Sequence, residues 1–193
     1  MKKTRRLRII LPALLALLLL CACGPKKNCL AEFPPQDMSG YAGLADYTKE
    51  LSFVDVTVQD IHRLKEEKET FVFVASFANC PWCNAIIGYI NDAALENKAT
   101  VGLLDTRKDP SWTSNMDITD YDLFVEDFGD QLEYDEENLL HLYVPHIFFI
   151  KKGEVVYEHQ GALPEMGDDP HMELTDEQKQ ALTEIFREGF RKL

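Results

Sequence analysis

Two cysteines three residues apart, in the run Cys80-Pro81-Trp82-Cys83, are the residues best placed to do chemistry. They follow a mostly apolar, β-prone stretch, Thr70 to Phe77, and open a segment of helical periodicity that runs to about Asn97 with Ile86, Ile87, Ile90 and Ala94 inward. Two thiols on the first turn of a helix can close a disulfide with little backbone movement. The first of them meets the free N–H groups and the positive end of the macrodipole, which favour its thiolate. Cys80 is therefore expected to attack and Cys83 to be the buried resolving thiol. Pro81 suits a first turn, where a missing N–H costs nothing, and Trp82 is expected on an apolar rim that meets a substrate chain. The chemistry is thiol–disulfide exchange through a mixed disulfide on Cys80 that Cys83 releases. Two other readings of the pair stand beside this one. Zinc would need two further ligands, and the chain offers Cys29 and five scattered histidines, His62, His141, His146, His159 and His171. A permanent structural disulfide would close too small a loop to stabilise much by chain entropy.

The elements that must hold the pair alternate between strand and helix. Phe53 to Val56 reads as a short strand, and Thr57 can cap a helix with Val58, Ile61 and Leu64 on one face. Thr70 to Phe77 reads as a central strand buried on both faces, and Thr100 to Leu104 as another strand. His146 to Ile150 and Glu154 to His159 form a hairpin around Lys151-Lys152-Gly153. Thr175 opens a last helix with a capping box to Gln178 and an apolar face of Leu182, Ile185, Phe186, Phe190 and Leu193. The sum is an α/β domain with a central mixed sheet flanked by helices. From Thr119 to about Phe128 a further helix is expected, with Leu123, Phe124 and Phe128 as core. Asp117 to Glu137 holds ten acids and no Lys or Arg, the pattern of a solvated face, without the Asp/Gly spacing of a calcium loop.

The N-terminus carries an address. Lys2, Lys3, Arg5, Arg6 and Arg8 precede an apolar run from Ile9 to Leu20, too short for a bilayer span of about 20 residues. This is the layout of a secretory signal. Leu20-Cys21-Ala22-Cys23 resembles the bacterial lipobox. The resemblance implies a lipoprotein signal peptide over residues 1–22, lipid on Cys23, and a domain outside the cytoplasm, anchored to a membrane of the bacterial cell envelope; an uncleaved N-terminal anchor is the other reading. Pro25, Pro34 and Pro35 argue against regular structure, so residues 23–45 are read as a lipidated N-terminus and flexible spacer, with Cys29 in it as an idle thiol or a mixed-disulfide partner. Beyond residue 22 the chain holds 15 basic against 33 acidic side chains, which repels nucleic acid and anionic lipid.

Four features in order resemble the thioredoxin family: the apolar strand running into Cys80-Pro81-Trp82-Cys83; Val144-Pro145 before His146-Ile-Phe-Phe-Ile-Lys-Lys-Gly153-Glu-Val; Gly161-Ala162-Leu163; and a terminal amphipathic helix. The similarity spans about residues 50 to 190. It implies a thioredoxin-like fold over residues 46–193, with a helical insertion at about 106–143 ahead of the strand that follows a cis-proline, Pro145. It also implies that Val144 and Pro145, with Pro81 and Trp82, bind an extended substrate segment. Where many thioredoxins carry a buried Asp that helps move the resolving proton, this chain has Val74, and its insertion is longer than a minimal thioredoxin allows. In general outline the chain also resembles the bacteriocin transport accessory proteins.

The function implied is an extracytoplasmic thiol–disulfide oxidoreductase acting on cysteine-containing protein substrates. No metal, flavin or nucleotide is called for beyond the redox-active cysteines, and no Gly-rich phosphate loop is present. Pro81-Trp82 resembles the Pro-Tyr pair of glutaredoxins and, loosely, the Pro-His pair of periplasmic oxidants. Many membrane-tethered thioredoxin-like lipoproteins are reductases fed by a membrane electron-transfer partner, so reductase or isomerase is favoured over oxidase. A second reading is a tethered binding or accessory module of a secretion or transport complex, with the cysteine pair idle and the acidic insertion as its working surface.

Overall fold

The computed structural model describes residues 28–107, 118–163, 169–171 and 173–193. The basic and apolar leader and Cys23, on which the expectation of a lipid anchor rests, lie outside the described residues, as does part of the insertion. Five strands form one sheet in the order β1-β3-β2-β6-β7. Strands β1 (Phe53–Asp55), β2 (Phe71–Ser76) and β3 (Val101–Asp105) are parallel, and β6 (His146–Lys151) runs antiparallel to β2, with β7 (Glu154–Gln160) antiparallel to β6. Every residue of β2 is buried, as expected of a strand covered on both faces. Val72 and Val74 point to one cluster, with Ile147 and Phe149 beside them. Phe71, Phe73 and Ala75 point to the other, with Phe148 and Ile150.

Helix α2 (Pro81–Glu96) and the terminal helix α4 (Asp176–Lys192) cover the first face. Arg187 holds Glu96 with two nitrogens at 2.7 and 2.6 Å, joining these helices at the surface. The expected Thr175–Gln178 capping box opens α4. Helix α1 (Val58–Glu66) and α3 (Ile118–Phe128) cover the second face. Phe124 and Phe128 of α3 join Phe73 and Phe148 in an aromatic cluster whose ring centroids lie 4.7 to 6.4 Å apart. The acids of α3 are not all a solvated face. The nearly buried Asp127 carboxylate accepts from Lys65 at 3.1 Å and meets His62 at 2.9 Å, fixing α3 to α1.

The insertion is only partly helical. After a 3-10 turn (Gly129–Gln131), β4 (Glu133–Tyr134) and β5 (Leu140–His141) pair as a small antiparallel ribbon. Asp135 closes its loop by accepting from the N–H groups of Glu137 and Leu139, and Asn138 adopts a left-handed φ of 61°.

From residue 28 onward, the expected flexible spacer is instead part of the domain. Leu30, Met38, Tyr41 and Leu44 are buried. Leu30 lies on the second face of the sheet and the other three on the first. Pro34 and Pro35 are compatible with this because they sit at the sheet's edge. Pro34 accepts from Asp55 N–H at 2.8 Å and Pro35 bridges Val54, positions where no N–H is demanded of a proline. Asn28 donates to Thr100 at 2.9 Å, and the Cys29 sulfur lies 3.7 Å from the Thr70 carbonyl, so this segment starts at the N-terminal ends of β2 and β3. Buried Asn91 of α2 binds the stretch before β1: its amide donates to Tyr47 Oη and Glu50 O, and its carbonyl accepts from Ser52 N–H and Oγ. Leu30→Ala is expected to cost about 3 kcal/mol, the usual loss for an aliphatic side chain removed from a packed core. The readout is the urea midpoint. A loss below about 0.5 kcal/mol, the range of surface substitutions, would restore the spacer.

Candidate functional site

Strand β2 delivers the chain to the N-terminus of α2, and the cysteine pair stands there. Cys80 is the N-cap and Pro81 the first helical residue. Cys80 and Cys83 form a disulfide with their Cα atoms 5.2 Å apart. The Cys83 N–H points at the Cys80 sulfur at 3.1 Å, so a backbone dipole already faces the atom on which charge would sit in the reduced protein. Cys83 is fully buried and Cys80 nearly so. Val74, fully buried in the same cluster, leaves no carboxylate at that position of the strand.

Asn84, one residue beyond the pair, was not singled out from the sequence. Its amide donates to the carbonyls of Ala78 at 2.8 Å and Cys80 at 2.9 Å, and its carbonyl accepts from Gly43 N–H at 2.8 Å. Asn84 thereby locks the turn before Cys80 and seats the N-terminal segment against α2. Gly43 must be glycine for this approach, since a Cβ there would clash with the backbone carbonyl oxygen of Asn84. The sequence signal was an amide side chain within the otherwise apolar first two turns of the helix.

The second wall comes from β6 and β7. The Val144–Pro145 bond is cis, and the Val144 carbonyl lies 3.9 Å from the Cys80 sulfur. Gly161 donates to the Pro145 carbonyl at 2.7 Å from a backbone at φ 77°, a conformation that glycine adopts freely. A disulfide at the junction of a central parallel strand and its following helix, faced by the turn into an antiparallel neighbour, settles the architecture. The fold is thioredoxin-like.

Within this thioredoxin-like domain an open groove of about 470 Å³ meets the redox motif at Trp82. Trp82 and Val144 line it together with His159, Gly161 and Ala162, and the insertion contributes Glu133 and Tyr143. Of the four residues expected to bind substrate, Trp82 and Val144 therefore share one groove. Pro81 is exposed on the opposite flank, beside Asn84 in a second concavity of about 440 Å³, and Pro145 is buried. No model of a protein family matches the chain, and no curated protein matches it. Solved structures similar to it include a thioredoxin-fold protein provisionally described as an oxidoreductase, at 14% identity and a TM-score of 0.41, covering 57% of this chain and 83% of that one. Another is oxidized thioredoxin O2 from Arabidopsis thaliana, at 17% identity and a TM-score of 0.36, covering 60% of this chain and 87% of that one.

Two histidines of this region were seen in sequence only as scattered. His146, directly after Pro145, is fully buried, with Nε2 on the Glu158 carboxylate and Nδ1 without a hydrogen-bond partner among the described residues; the carboxylate can only accept, so Nε2 carries a proton. His159 in the groove donates from Nε2 to the Ala162 carbonyl at 2.9 Å and packs edge-on against Phe186. Burial holds the His159 imidazolium below its ordinary pKa of 6.5, with His146 adding to the depression, while the Ala162 carbonyl and Glu158 oppose it. The unfolded chain, titrating near 6.5, then binds more protons than the folded one between the two pKa values. Stability is therefore expected to fall as pH drops through 6.5 toward the folded value. His159→Gln should flatten that part of a urea-midpoint profile, and an unchanged slope would remove His159 from the account.

Cys29 is far from this chemistry. It packs on the other face of the sheet, at the opposite end of β2 from Cys80. Burial, chiefly, pushes its thiol up to about 11, so its thiolate is scarce at neutral pH. In the reduced protein at pH 7.5, iodoacetamide is expected to modify Cys80 well ahead of Cys29, as followed by peptide mass mapping. Comparable rates would contradict that burial.

Proposed function

We propose that this protein is an extracytoplasmic thiol–disulfide oxidoreductase, anchored to the envelope membrane by lipid on Cys23, that reduces or isomerises disulfides of protein substrates. The observation that carries the reading is the Cys80–Cys83 pair at the N-terminus of α2, with a backbone N–H on the Cys80 sulfur and the Val144 carbonyl across from it. In the reduced protein the Cys80 thiolate attacks one sulfur of a substrate disulfide. That S–S bond breaks, the Cys80–substrate bond forms, and the other substrate sulfur leaves as a thiolate. Cys83 loses its proton to solvent and attacks the Cys80 sulfur, which releases the second substrate thiolate. The substrate has gained two electrons and the protein has become the disulfide. A membrane-bound dithiol partner returns the electrons by the same exchange run on Cys80–Cys83.

Trp82 and Val144 hold the substrate segment in the groove, and Pro81 and Pro145 shape the turns on either side of the pair. The lack of a carboxylate at Val74 leaves solvent to take the Cys83 proton.

The test is turnover of a protein disulfide with a dithiol reductant. Cys80→Ser is expected to abolish it, and Cys83→Ser to accumulate a mixed disulfide with substrate, visible on a non-reducing gel. Equilibration in redox buffers sets the direction. A midpoint near about −270 mV fits a reductase and one near about −120 mV an oxidant. If Cys80→Ser leaves cellular function intact while deletion of 117–137 destroys it, the chain is an accessory binding module and this reading is wrong.

A further inference from the structure

The groove beside the redox pair has one wall that a minimal version of this fold would lack. Glu133, the first residue of β4, and Tyr143, just after β5, both belong to the insertion, and both line the same groove as Trp82 and Val144. Both side chains are exposed. Glu133 makes no ion pair or hydrogen bond with any described residue, in contrast to Asp135 in the same ribbon, which is occupied by the loop N–H groups and lies 4.0 Å from His141. Among the described residues that line the groove none is a lysine or arginine. The other titratable side chains among them are Tyr143 and His159, and His159 is held toward its neutral form by burial. The described groups that face Glu133 thus leave its negative charge uncompensated, within a groove that also offers the rings of Trp82 and Tyr143.

Resting on the proposed exchange reaction, we infer that the β4–β5 ribbon is a selectivity wall: Glu133 and Tyr143 make this groove prefer an extended cysteine-containing segment that carries a lysine or arginine close to its reacting cysteine. A cation there meets a carboxylate with no competing partner among the described residues and can lie over an aromatic ring. An acidic residue at the same place would face Glu133 with nothing to offset the repulsion. The net negative charge of the chain steers the same class of segment toward the groove from a distance.

The experiment compares two disulfide-linked peptides that differ only in a Lys or a Glu two positions from the reacting cysteine, at low ionic strength. The purified protein is expected to reduce the Lys peptide about three- to fivefold more efficiently in kcat/KM, the size of one partly exposed charge contact. Glu133→Lys should abolish or invert that ratio, and Tyr143→Ala should shrink it. Glu66→Lys, an equal charge change at the exposed end of α1, should leave it alone. Equal rates for the two peptides, or a ratio that survives Glu133→Lys, would overturn the inference. If neither peptide is turned over, the exchange reaction itself fails, and the inference is then decided by affinity. Tryptophan fluorescence titration with the matching Ser-containing peptides supports it if the Lys form binds more tightly and overturns it if the two bind alike.

Discussion

Strand β2 is buried along its whole length and on both faces, and most of the molecule follows from having to cover it. One face takes α2 and α4; the other takes α1 and α3. Neither pair suffices alone. Leu30 completes the second cluster and Met38, Tyr41 and Leu44 the first, which draws the N-terminal segment onto the domain. Phe124 and Phe128 do the same for the insertion, so that it is held by a packed aromatic core. The redox pair is positioned by this arrangement, because Cys80 follows the end of the fully buried strand by one three-residue turn, closed by its N–H on the Phe77 carbonyl.

The parts that were legible in the sequence are those whose signals are local. The apolar run of β2, the Cys-Pro-Trp-Cys start of α2, and the Thr175 capping box each lie within a few consecutive residues. The N-terminal segment escaped because the three-residue spacing of Met38, Tyr41 and Leu44 is too short a run to read beside prolines that speak against regular structure, while what fixes it is long-range. Asn84 and Asn91 reach across some forty residues to hold it. The β4–β5 ribbon escaped because strands of two residues cannot show alternation. The groove histidine was invisible as such, since His159 arrives there only through the pairing of β7 with β6.

Charge is distributed unevenly in its effect. Many of the acids are surface groups with little energetic weight, but two differ in kind. Asp127 is nearly buried and organises Lys65 and His62 between α1 and α3. Glu133 is exposed, makes no ion pair or hydrogen bond with a described residue, and lines the same groove as Trp82. An acid-rich stretch read only by composition merges these into one solvated surface; the fold separates a structural carboxylate from one free to meet a partner.

The place where the N-terminal segment joins the domain has a consequence for orientation. Asn28 and Cys29 attach at the starting ends of β3 and β2, whereas Cys80 follows the finishing end of β2. Six residues of strand put these two poles about 20 Å apart. The lipid anchor proposed at Cys23 would therefore join the domain at the pole opposite its disulfide. On that proposal a soluble substrate would meet the disulfide directly, and a membrane partner would have to span the height of the domain to touch the same sulfurs.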